Sequence, residues 1–458
     1  MLISPVTAID CLALSTFLYI LCALRDHRRR RGFPYPPGPP PLPAIGNLLD
    51  VPKLSPWLGY ANMSKKYGDV VCFQVLGQVV VVLCSPTAIK DLLEKRGELM
   101  NVDWLFPLSR TGKYWREGRR LLDRSLRPGA TALHRHLIEE KTRKIVMRLT
   151  YGYDLKENDD MLVPPKRVVE IMTHLSLLME CQREGTAVPS LATEFLPEAD
   201  LLGGLERQQA VQGIEDILGT YVEHQPVQIL HVFSLFPQLT WLRRDFQTVA
   251  AMYSLFLALI LYPEVQKRAQ AEIDSVISRD RLPTYDDRPR LPYIEAMSKE
   301  LLRWRMVTPM GVPHSPTDDD FYKGYFIPKG AVVIGNGWAV LHDPELYPDP
   351  EAFNPGRFLN EDGTFRDDPM ISLAFGAGRR ICPSRHLVDV ILFVVTASVL
   401  SVFNVTRAKD ENGNEIPVAP PPLESVLPDV TVWVPGFECG ITPRDKVAED
   451  LIRASAIA

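Results

Sequence analysis

The residues best suited to chemistry lie late in the chain, in the run Phe375-Gly376-Ala377-Gly378-Arg379-Arg380-Ile381-Cys382-Pro383. Its two glycines allow a tight loop in which backbone amides can approach a sulfur atom. The apolar segment after Pro383 predicts a helix whose N-terminus favours negative charge, so Cys382 is placed to be a thiolate, the form that binds metals. Arg379 and Arg380 add positive charge for anionic groups. The alternative is a buried structural cysteine beside two solvated arginines.

A second set of residues could support that loop. The run Glu300-Leu301-Leu302-Arg303 puts a carboxylate and a guanidinium at positions i and i+3 of a predicted helix, and therefore on one face. A further arginine, Arg357, follows in Phe353-Asn354-Pro355-Gly356-Arg357-Phe358. Because a carboxylate can accept hydrogen bonds from two guanidinium groups, the three charged residues are expected to form a buried triad that locks a loop. The alternative for Glu300 and Arg303 is a surface pair, which adds little stability.

The elements that must position these residues are predicted to be mainly helical. Helix-like periodicity covers residues 113–126, 136–150, 206–222, 245–277 and 293–305. The segment Leu387–Leu400 is apolar on nearly every face, which predicts a helix at the centre of the core.

The predicted β structure is small. Val70–Val75 and Val79–Leu83, with a turn at Gly77 between them, predict a hairpin. Further β-rich runs and a tight turn are expected at Tyr325–Ile327, Ala331–Ile334, Phe403–Thr406 and Asn412-Gly413. The predicted fold class is therefore mainly α with a small β portion (α+β), without an internal domain boundary after residue 50.

Composition narrows the class of protein. The chain has 458 residues, 46% of them hydrophobic, which is enough for a large core. Its net charge of -5 gives no basic excess for nucleic acid, and a neutral or apolar partner fits better. The seven cysteines include no C-x-x-C pair, and their odd number argues against a full disulfide framework. A reducing compartment fits best.

The first 24 residues predict a transmembrane anchor. Leu2–Leu24 is almost wholly apolar, apart mainly from Asp10, and can cross a bilayer core of about 30 Å. Arg25 and the run Arg28–Arg31 follow, which favours a cytosolic position for the rest of the chain. A removed signal peptide and a buried core helix are the alternatives. Residues 25–50 form a basic, proline-rich hinge that is expected to be a semi-rigid spacer; the alternative is a disordered linker.

In order along the chain, the motifs Glu-x-x-Arg, Phe-x-Pro-x-Arg-Phe and Phe-x-x-Gly-x-Arg-x-Cys resemble the cytochrome P450 superfamily, above all its fungal, membrane-anchored members. The resemblance covers the anchor, the hinge, residues 55–150 and nearly all of 256–450. It implies the P450 fold, with haem (iron protoporphyrin IX) bound by a single catalytic domain over residues 51–458.

The resemblance also implies roles for individual residues. Cys382 is then the axial thiolate ligand of the haem iron, which favours O–O cleavage, and Arg380 pairs with a haem propionate. Trp115 and Arg119, spaced W-x-x-x-R, are expected to reach the propionates from the other side, with His314 as a further contact. Phe375, at the start of the cysteine loop, is also expected to bind the cofactor. The alternatives are core packing for Trp115 and a solvent-facing turn for His314.

One segment that the resemblance leads us to expect is missing. The family carries a long distal helix with an acid–threonine pair that delivers protons to dioxygen, but here Ala250-Ala251-Met252-Tyr253 runs directly into Ser254-Leu255-Phe256-Leu257. Asp245 and Thr248 lie upstream at the wrong spacing, so no distal catalytic pair is identified. Ser384 also replaces the glycine usual two positions after the cysteine. A deletion, an incorrect splice model or real divergence would each leave this pattern.

Several functions remain open. The first is a monooxygenase that inserts one oxygen atom from O2 into an apolar small molecule in secondary metabolism, using an NADPH-dependent reductase at the endoplasmic reticulum membrane. The second is a haem-binding protein that no longer activates oxygen. The third uses peroxide or rearranges an oxygenated substrate. Outside the family, the chain would be an anchored scaffold in which Cys382 is a structural thiol.

Overall fold

The computed structural model describes residues 24–25, 28–97, 100–101, 245–410, 412–418, 424–427, 431–433 and 437–457, and short segments between 116 and 143. The predicted anchor up to residue 23, Trp115, and the predicted helix over 206–222 lie outside these ranges.

Among the described residues the α-helices are α1 (Pro56–Tyr67), α2 (Pro86–Ile89), α3 (Pro128–Thr131), α4 (Asp245–Leu261), α5 (Pro263–Val276), α6 (Pro292–Trp304), α7 (Gly337–Leu341), α8 (Arg385–Val402) and α9 (Lys446–Ile457). A π-helix, Lys90–Lys95, follows α2, and 3-10 helices span Tyr285–Arg290, Pro355–Phe358, Pro369–Phe375 and Gly378–Arg380. The strands are β1 (Val70–Val75), β2 (Gln78–Leu83), β3 (Met100–Asn101), β4 (Ser315–Pro316), β5 (Asp320–Tyr322), β6 (Tyr325–Ile327), β7 (Val332–Gly335), β8 (Phe403–Arg407), β9 (Glu424–Leu427), β10 (Thr431–Trp433) and β11 (Cys439–Pro443).

These elements fall into two compact units. The first takes its residues from Met1–Arg110, Val312–Ala339 and Ala377–Arg379, and the second from Thr111–Gly311, Val340–Gly376 and Arg380–Ala458.

The first unit contains the sheet β1-β2-β7. Strands β1 and β2 are antiparallel, and β7 pairs with β2 in parallel, from Val80 opposite Val332 to Leu83 opposite Gly335. The predicted hairpin is confirmed. Leu76 and Gly77 both have positive φ, as a two-residue hairpin turn of the favoured hand requires. Two short antiparallel pairs, β3-β4 and β5-β6, complete the strands of this unit.

Helix α8 is the core of the second unit, as its continuous apolar sequence predicts. Every residue from 390 to 400 is buried, and the helix contacts α4, α5, α6 and α9. Among the described residues it is the one helix long and apolar enough to cross a membrane. Because 67% of it is buried inside the protein, we interpret it as a core helix. The antiparallel pairs β8-β11 and β9-β10 lie in the same unit.

The predicted helical segment 245–277 is divided in the structure. Helix α4 ends at Leu261, and α5 begins at Pro263. Proline lacks the N–H that would continue the helix and clashes with the preceding turn, but it suits a first helical position. The periodicity of the apolar residues does not contain that information, which is why it indicated one element where there are two.

Helix α6, which carries Glu300 and Arg303, is held at its start by a neighbouring helix. Its N-cap residue Leu291 has no side chain that can accept a hydrogen bond. Instead the carboxylate of Glu272, on α5, accepts from the backbone N–H groups of Tyr293 (2.8 Å) and Ile294 (3.1 Å). Burial raises the pKa of Glu272, and these hydrogen bonds oppose the rise. The cap ties α5 to the first turn of α6.

Candidate functional site

The cysteine loop is closed by its own backbone. The amide N–H of Cys382 donates to the carbonyl oxygen of Phe375 at 2.8 Å. Between them, Gly376 (φ 89) and Gly378 (φ 66) lie in the left-handed region that glycine tolerates. A Cβ atom on Gly378 would stand 2.2 Å from the carbonyl oxygen of Leu93, so no other residue fits there. Gly376 is thus required for its positive φ, and Gly378 is required because the backbone of Leu93 approaches it closely.

The thiol precedes the core helix. Helix α8 begins at Arg385, two residues after Pro383, and the N–H of Arg385 donates to the carbonyl oxygen of Cys382 at 3.4 Å. Ser384 has φ -80 and ψ 4. Because φ is negative, the position does not require glycine.

Exposure changes sharply along this segment. Residues 380–389 are all partly exposed, whereas 390–400 are all buried. Cys382 is a free, partly exposed thiol. In the part of the chain that the structure describes, no three His, Cys, Asp or Glu side chains are grouped as metal ligands. A single sulfur suits a metal whose other ligands come from a macrocycle. The residues present therefore fit a haem.

Arg119 lies against the loop. Its Nη1 donates to the carbonyl oxygen of Ile381, the residue before Cys382, at 2.7 Å, and its Nε donates to Asp123 at 3.0 Å. A guanidinium is thereby fixed beside the backbone that leads to the sulfur. Trp115, its predicted partner in sequence, is among the residues that the structure does not describe.

The structure brings Glu300, Arg303 and Arg357 together. Arg303 donates from Nε and Nη2 to the two carboxylate oxygens of Glu300, at 2.6 and 2.8 Å, and both side chains have 0% exposure. The Nε atom of Arg357 is 3.5 Å from Glu300 Oε1, which also accepts from the N–H of Asn354 at 2.8 Å. Burial raises the pKa of Glu300, and the guanidinium of Arg303 opposes the rise. The carboxylate thus joins α6 to the start of the segment 354–358.

A path of contacts connects this cluster with the cysteine loop. The guanidinium of Arg303 lies 5.5 Å from the ring centre of Tyr347, whose hydroxyl donates to Asp368 at 2.8 Å. Asp368 in turn caps the 3-10 helix that ends at Phe375, by accepting from the N–H of Met370 at 2.9 Å. Burial and the neighbouring carboxylate of Asp368 raise the pKa of Tyr347. The buried charge pair therefore supports the segment from which the loop starts.

The remaining predicted residues, Phe375, Arg380 and His314, are partly exposed. Phe375 and Arg380 lie at the two ends of the glycine-containing turn. The backbone of His314 exchanges two hydrogen bonds of 2.7 Å with Val333. His314 is thus a bridge residue beside β7 and not part of a solvent-facing turn.

Helix α4 contains Tyr253 and Ser254, the point at which the sequence leads us to expect that a distal segment is missing. It runs without interruption through Tyr253 and Ser254. Residues 250–260 are all buried and include no carboxylic acid. The hydroxyl of Ser254 donates to the carbonyl oxygen of Ala250 at 3.1 Å, within the same helix. Burial raises the pKa of the Tyr253 phenol to about 12.

The sequence analysis did not predict several polar and charged residues that connect elements of the second unit. Tyr347 and Asp368 were not singled out, and no pattern in the sequence indicates their contact. A second ion-pair cluster, containing Lys299 and Asp389, was also missed. The only available signal was the i, i+4 spacing of Glu295 and Lys299 on the predicted helix.

Comparison with known proteins gives a consistent result. The family model described as Cytochrome P450 matches residues 36–151 and 206–428. Cytochrome P450 monooxygenase COX2 of Coprinopsis cinerea is 34% identical, over 93% of this chain and 93% of its own length. Cytochrome P450 monooxygenase ple1 of Rhodocybe pseudopiperita is 34% identical, over 94% of this chain and 93% of its own length. Cytochrome P450 monooxygenase claR of Ampulloclitocybe clavipes is 32% identical, over 91% of this chain and 88% of its own length.

The alignments also bear on chain length. The alignment with the Coprinopsis cinerea protein extends over 496 positions, more than the 458 residues of this chain. The relative therefore contains internal sequence that this chain lacks.

Proposed function

The chain belongs to the cytochrome P450 family, and on that premise we propose that it is a haem-thiolate monooxygenase with Cys382 as the axial ligand. When bound, a thiolate-held haem would supply the activation of dioxygen, in which one oxygen atom enters the substrate and the other leaves as water, with two electrons from NADPH and two protons from solvent. The observation that carries the proposal is the free, partly exposed Cys382 in a loop closed onto Phe375.

The chain's own residues have distinct tasks in this proposal. Arg380, Arg119, Trp115 and His314 pair with the propionates, and Phe375 contacts the macrocycle. Support comes from the Arg119 guanidinium, which is held 2.7 Å from the Ile381 carbonyl and so adds positive charge beside the loop. Positive charge there suits anionic carboxylates such as the haem propionates.

The buried triad Glu300, Arg303 and Arg357 holds the loop in place. Support comes from the full burial of the first two side chains and from the contacts that lead through Tyr347 and Asp368 to the loop. Positioning of a metal ligand by neighbouring groups of this kind is a general requirement of metal sites.

We further propose the setting in which the enzyme works. Residues 1–24 form a single transmembrane anchor, 25–50 a hinge, and 51–458 the catalytic domain on the cytosolic side of the endoplasmic reticulum. The apolar run before Arg25 and the arginines 28–31 support this topology. The partners are an NADPH-dependent reductase and an apolar small molecule of secondary metabolism, in line with the net charge of -5 and the fungal relatives.

The test is an absorption spectrum of the purified, full-length protein after reduction and addition of carbon monoxide. We expect the Soret shift typical of thiolate-ligated haem. Cys382→Ala should abolish it, while Cys439→Ala, which removes another partly exposed free thiol, should retain it. Retention of the thiolate signal and of the haem content in Cys382→Ala would refute the proposed ligand. Oxygenation is tested separately, by product formation with reductase and NADPH.

A second candidate is a haem protein that no longer activates oxygen. It is favoured by α4, in which the buried residues 250–260 include no carboxylic acid and the Ser254 hydroxyl is bound to its own helix. Proton delivery by a general acid contributes about 10²–10⁴-fold to rate, so its loss should leave little turnover. This candidate predicts a thiolate spectrum without NADPH-dependent product. Product formed with peroxide alone, or by rearrangement without NADPH, would instead indicate the third function.

A further inference from the structure

A closed ring of four ion pairs lies between α6, α8 and the 3-10 helix Tyr285–Arg290. Arg288 contacts Glu295, and it contacts Asp389 at 2.6 Å. Lys299 contacts the same two carboxylates, Asp389 at 2.5 Å and Glu295 at 3.4 Å. Each cation therefore meets both anions, and the ring as a whole is neutral.

The ring is shielded from solvent. The side-chain exposure is 7% for Glu295, 16% for Arg288, 17% for Lys299 and 22% for Asp389. The Arg288 guanidinium also lies 5.4 Å from the ring centre of Phe393, one turn beyond Asp389 on α8. Burial by itself lowers the pKa of Lys299, but Asp389 and Glu295 outweigh it, so that the pKa is raised. Burial by itself raises the pKa of Asp389, but Lys299 and Arg288 outweigh it, so that the pKa is lowered.

The position of Asp389 on α8 gives the ring its significance. Residues 385–389 form the first turns of that helix and are all partly exposed, whereas 390–400 are enclosed by other elements. Asp389 therefore lies within two turns of Cys382, at the end of α8 that follows the cysteine loop. Asp389 is the last of these partly exposed residues, and its two ion pairs supply a directional restraint that apolar contacts do not.

Helix α6 therefore restrains the chain on both sides of the cysteine. Its residues Glu300 and Arg303 bind the segment before the loop, through the N–H of Asn354. Its residue Lys299 binds Asp389 on the helix after the loop, and Glu295 is linked to Asp389 through the shared cations Arg288 and Lys299.

We propose that the ring Arg288–Glu295–Lys299–Asp389 is a second positioning device for Cys382. It sets the rotation and axial position of the first turns of α8, and so the direction in which the sulfur is presented. This inference rests on the proposed function, in which Cys382 is the axial ligand. The four residues are positioning residues, since they act through the helix.

The experiment compares variants of the full-length protein by the rate at which the thiolate-type carbon monoxide spectrum is lost on mild heating. Asp389→Asn leaves two cations with one anion and removes both ion pairs to α8, since the amide oxygen offers only a neutral hydrogen-bond acceptor. We expect the thiolate signal to decay about tenfold faster or more, since breaking a buried ion pair is strongly destabilising. The global unfolding midpoint, measured by circular dichroism, is recorded for every variant.

A double variant separates positioning from general stability. Lys299→Met with Asp389→Asn leaves Arg288 and Glu295 as a balanced pair, so the global unfolding midpoint should recover toward that of the wild type. The thiolate signal should still decay fast, because the link to α8 is absent. If the signal recovers together with the midpoint, the ring only stabilises the fold and the inference is wrong.

A control variant removes an ion pair that lies beside the C-terminal end of α8. Arg444 pairs with Asp274 and also donates to the carbonyl oxygen of Ser401 at 3.2 Å, far along α8 from Cys382. Asp274→Asn should leave the decay of the thiolate signal unchanged. If wild-type protein shows no thiolate spectrum, the proposed function and this inference both fail. If Asp389→Asn decays like the wild type, only the inference fails.

Discussion

Replacing Glu300 by glutamine tests the buried triad most directly. The substitution keeps the size of the side chain but removes the charge that faces Arg303, whose side chain has 0% exposure. The amide oxygen of glutamine can still accept from Arg303 Nη2 and from the N–H of Asn354, as Glu300 Oε1 does at 2.8 Å, but its NH2 group replaces the oxygen that accepts from Arg303 Nε at 2.6 Å. The guanidinium is then left buried without its main counter-charge.

The size of the effect follows from that geometry. Removing one partner of a buried ion pair costs about 3–5 kcal/mol. Arg303 keeps hydrogen bonds to the carbonyl oxygens of Leu341 (3.0 Å) and Ala352 (3.2 Å), so we expect the lower end, about 3 kcal/mol. Arg357→Gln should cost less, about 1 kcal/mol, because Arg357 stands farther from the carboxylate, at 3.5 Å.

The assay is equilibrium unfolding in urea, monitored by tryptophan fluorescence and by haem absorbance. All variants are measured in the same detergent. Glu449→Gln is the control, because it breaks an exposed i, i+4 pair with Arg453 and should change little. The double variant Glu300→Leu with Arg303→Met should be more stable than Glu300→Gln, since no charge is left buried. A wild-type midpoint for Glu300→Gln, or a double variant less stable than it, would refute the reasoning.

Three further predictions concern other parts of the molecule. Glu272→Ala removes the cap of α6 and should lower the free energy of unfolding by about 1 kcal/mol, measured in urea, whereas Glu272→Gln should lose less. Gly378→Ala forces a Cβ to 2.2 Å from the Leu93 carbonyl at φ 66, so haem content after purification should fall, and a normal content would contradict the glycine requirement. Hydrogen bonding to Arg281 lowers the pKa of Asp287, so its contribution to stability is present above the ordinary aspartate pKa of about 3.9 and is lost as the pH falls through the lower, folded-state value. Asp287→Asn should therefore show a shallower loss of stability on acidification in urea titrations at a series of pH values, and an unchanged slope would contradict this assignment.

Local conformation was largely readable from the sequence. The β1-β2 hairpin follows from two β-rich runs on either side of a turn at Gly77, and helix α8 follows from an apolar run. The glycines of the cysteine loop have the positive φ that their placement indicates. These features depend on steric limits within a few residues, and those limits follow directly from the amino-acid types. The break at Pro263 could have been predicted for the same reason.

Long-range partners were only partly readable. The i, i+3 spacing placed Arg303 beside Glu300, but not the Asn354 amide that shares the carboxylate or the path through Tyr347 to the cysteine loop. Likewise the W-x-x-x-R spacing marked Arg119 without indicating its bond to the Ile381 carbonyl.

The sequence by itself determined which reactive groups are present and their local conformation. The thiol of Cys382 follows a glycine-containing loop and precedes an apolar helix. Only the tertiary structure decided which charges meet, as where Lys299 pairs with Asp389 across 90 residues. The physical reason is that a charge pairs with whichever opposite charge the packing of apolar surfaces brings within a few ångströms. That choice depends on how α6 and α8 pack, and neither helix encodes it alone.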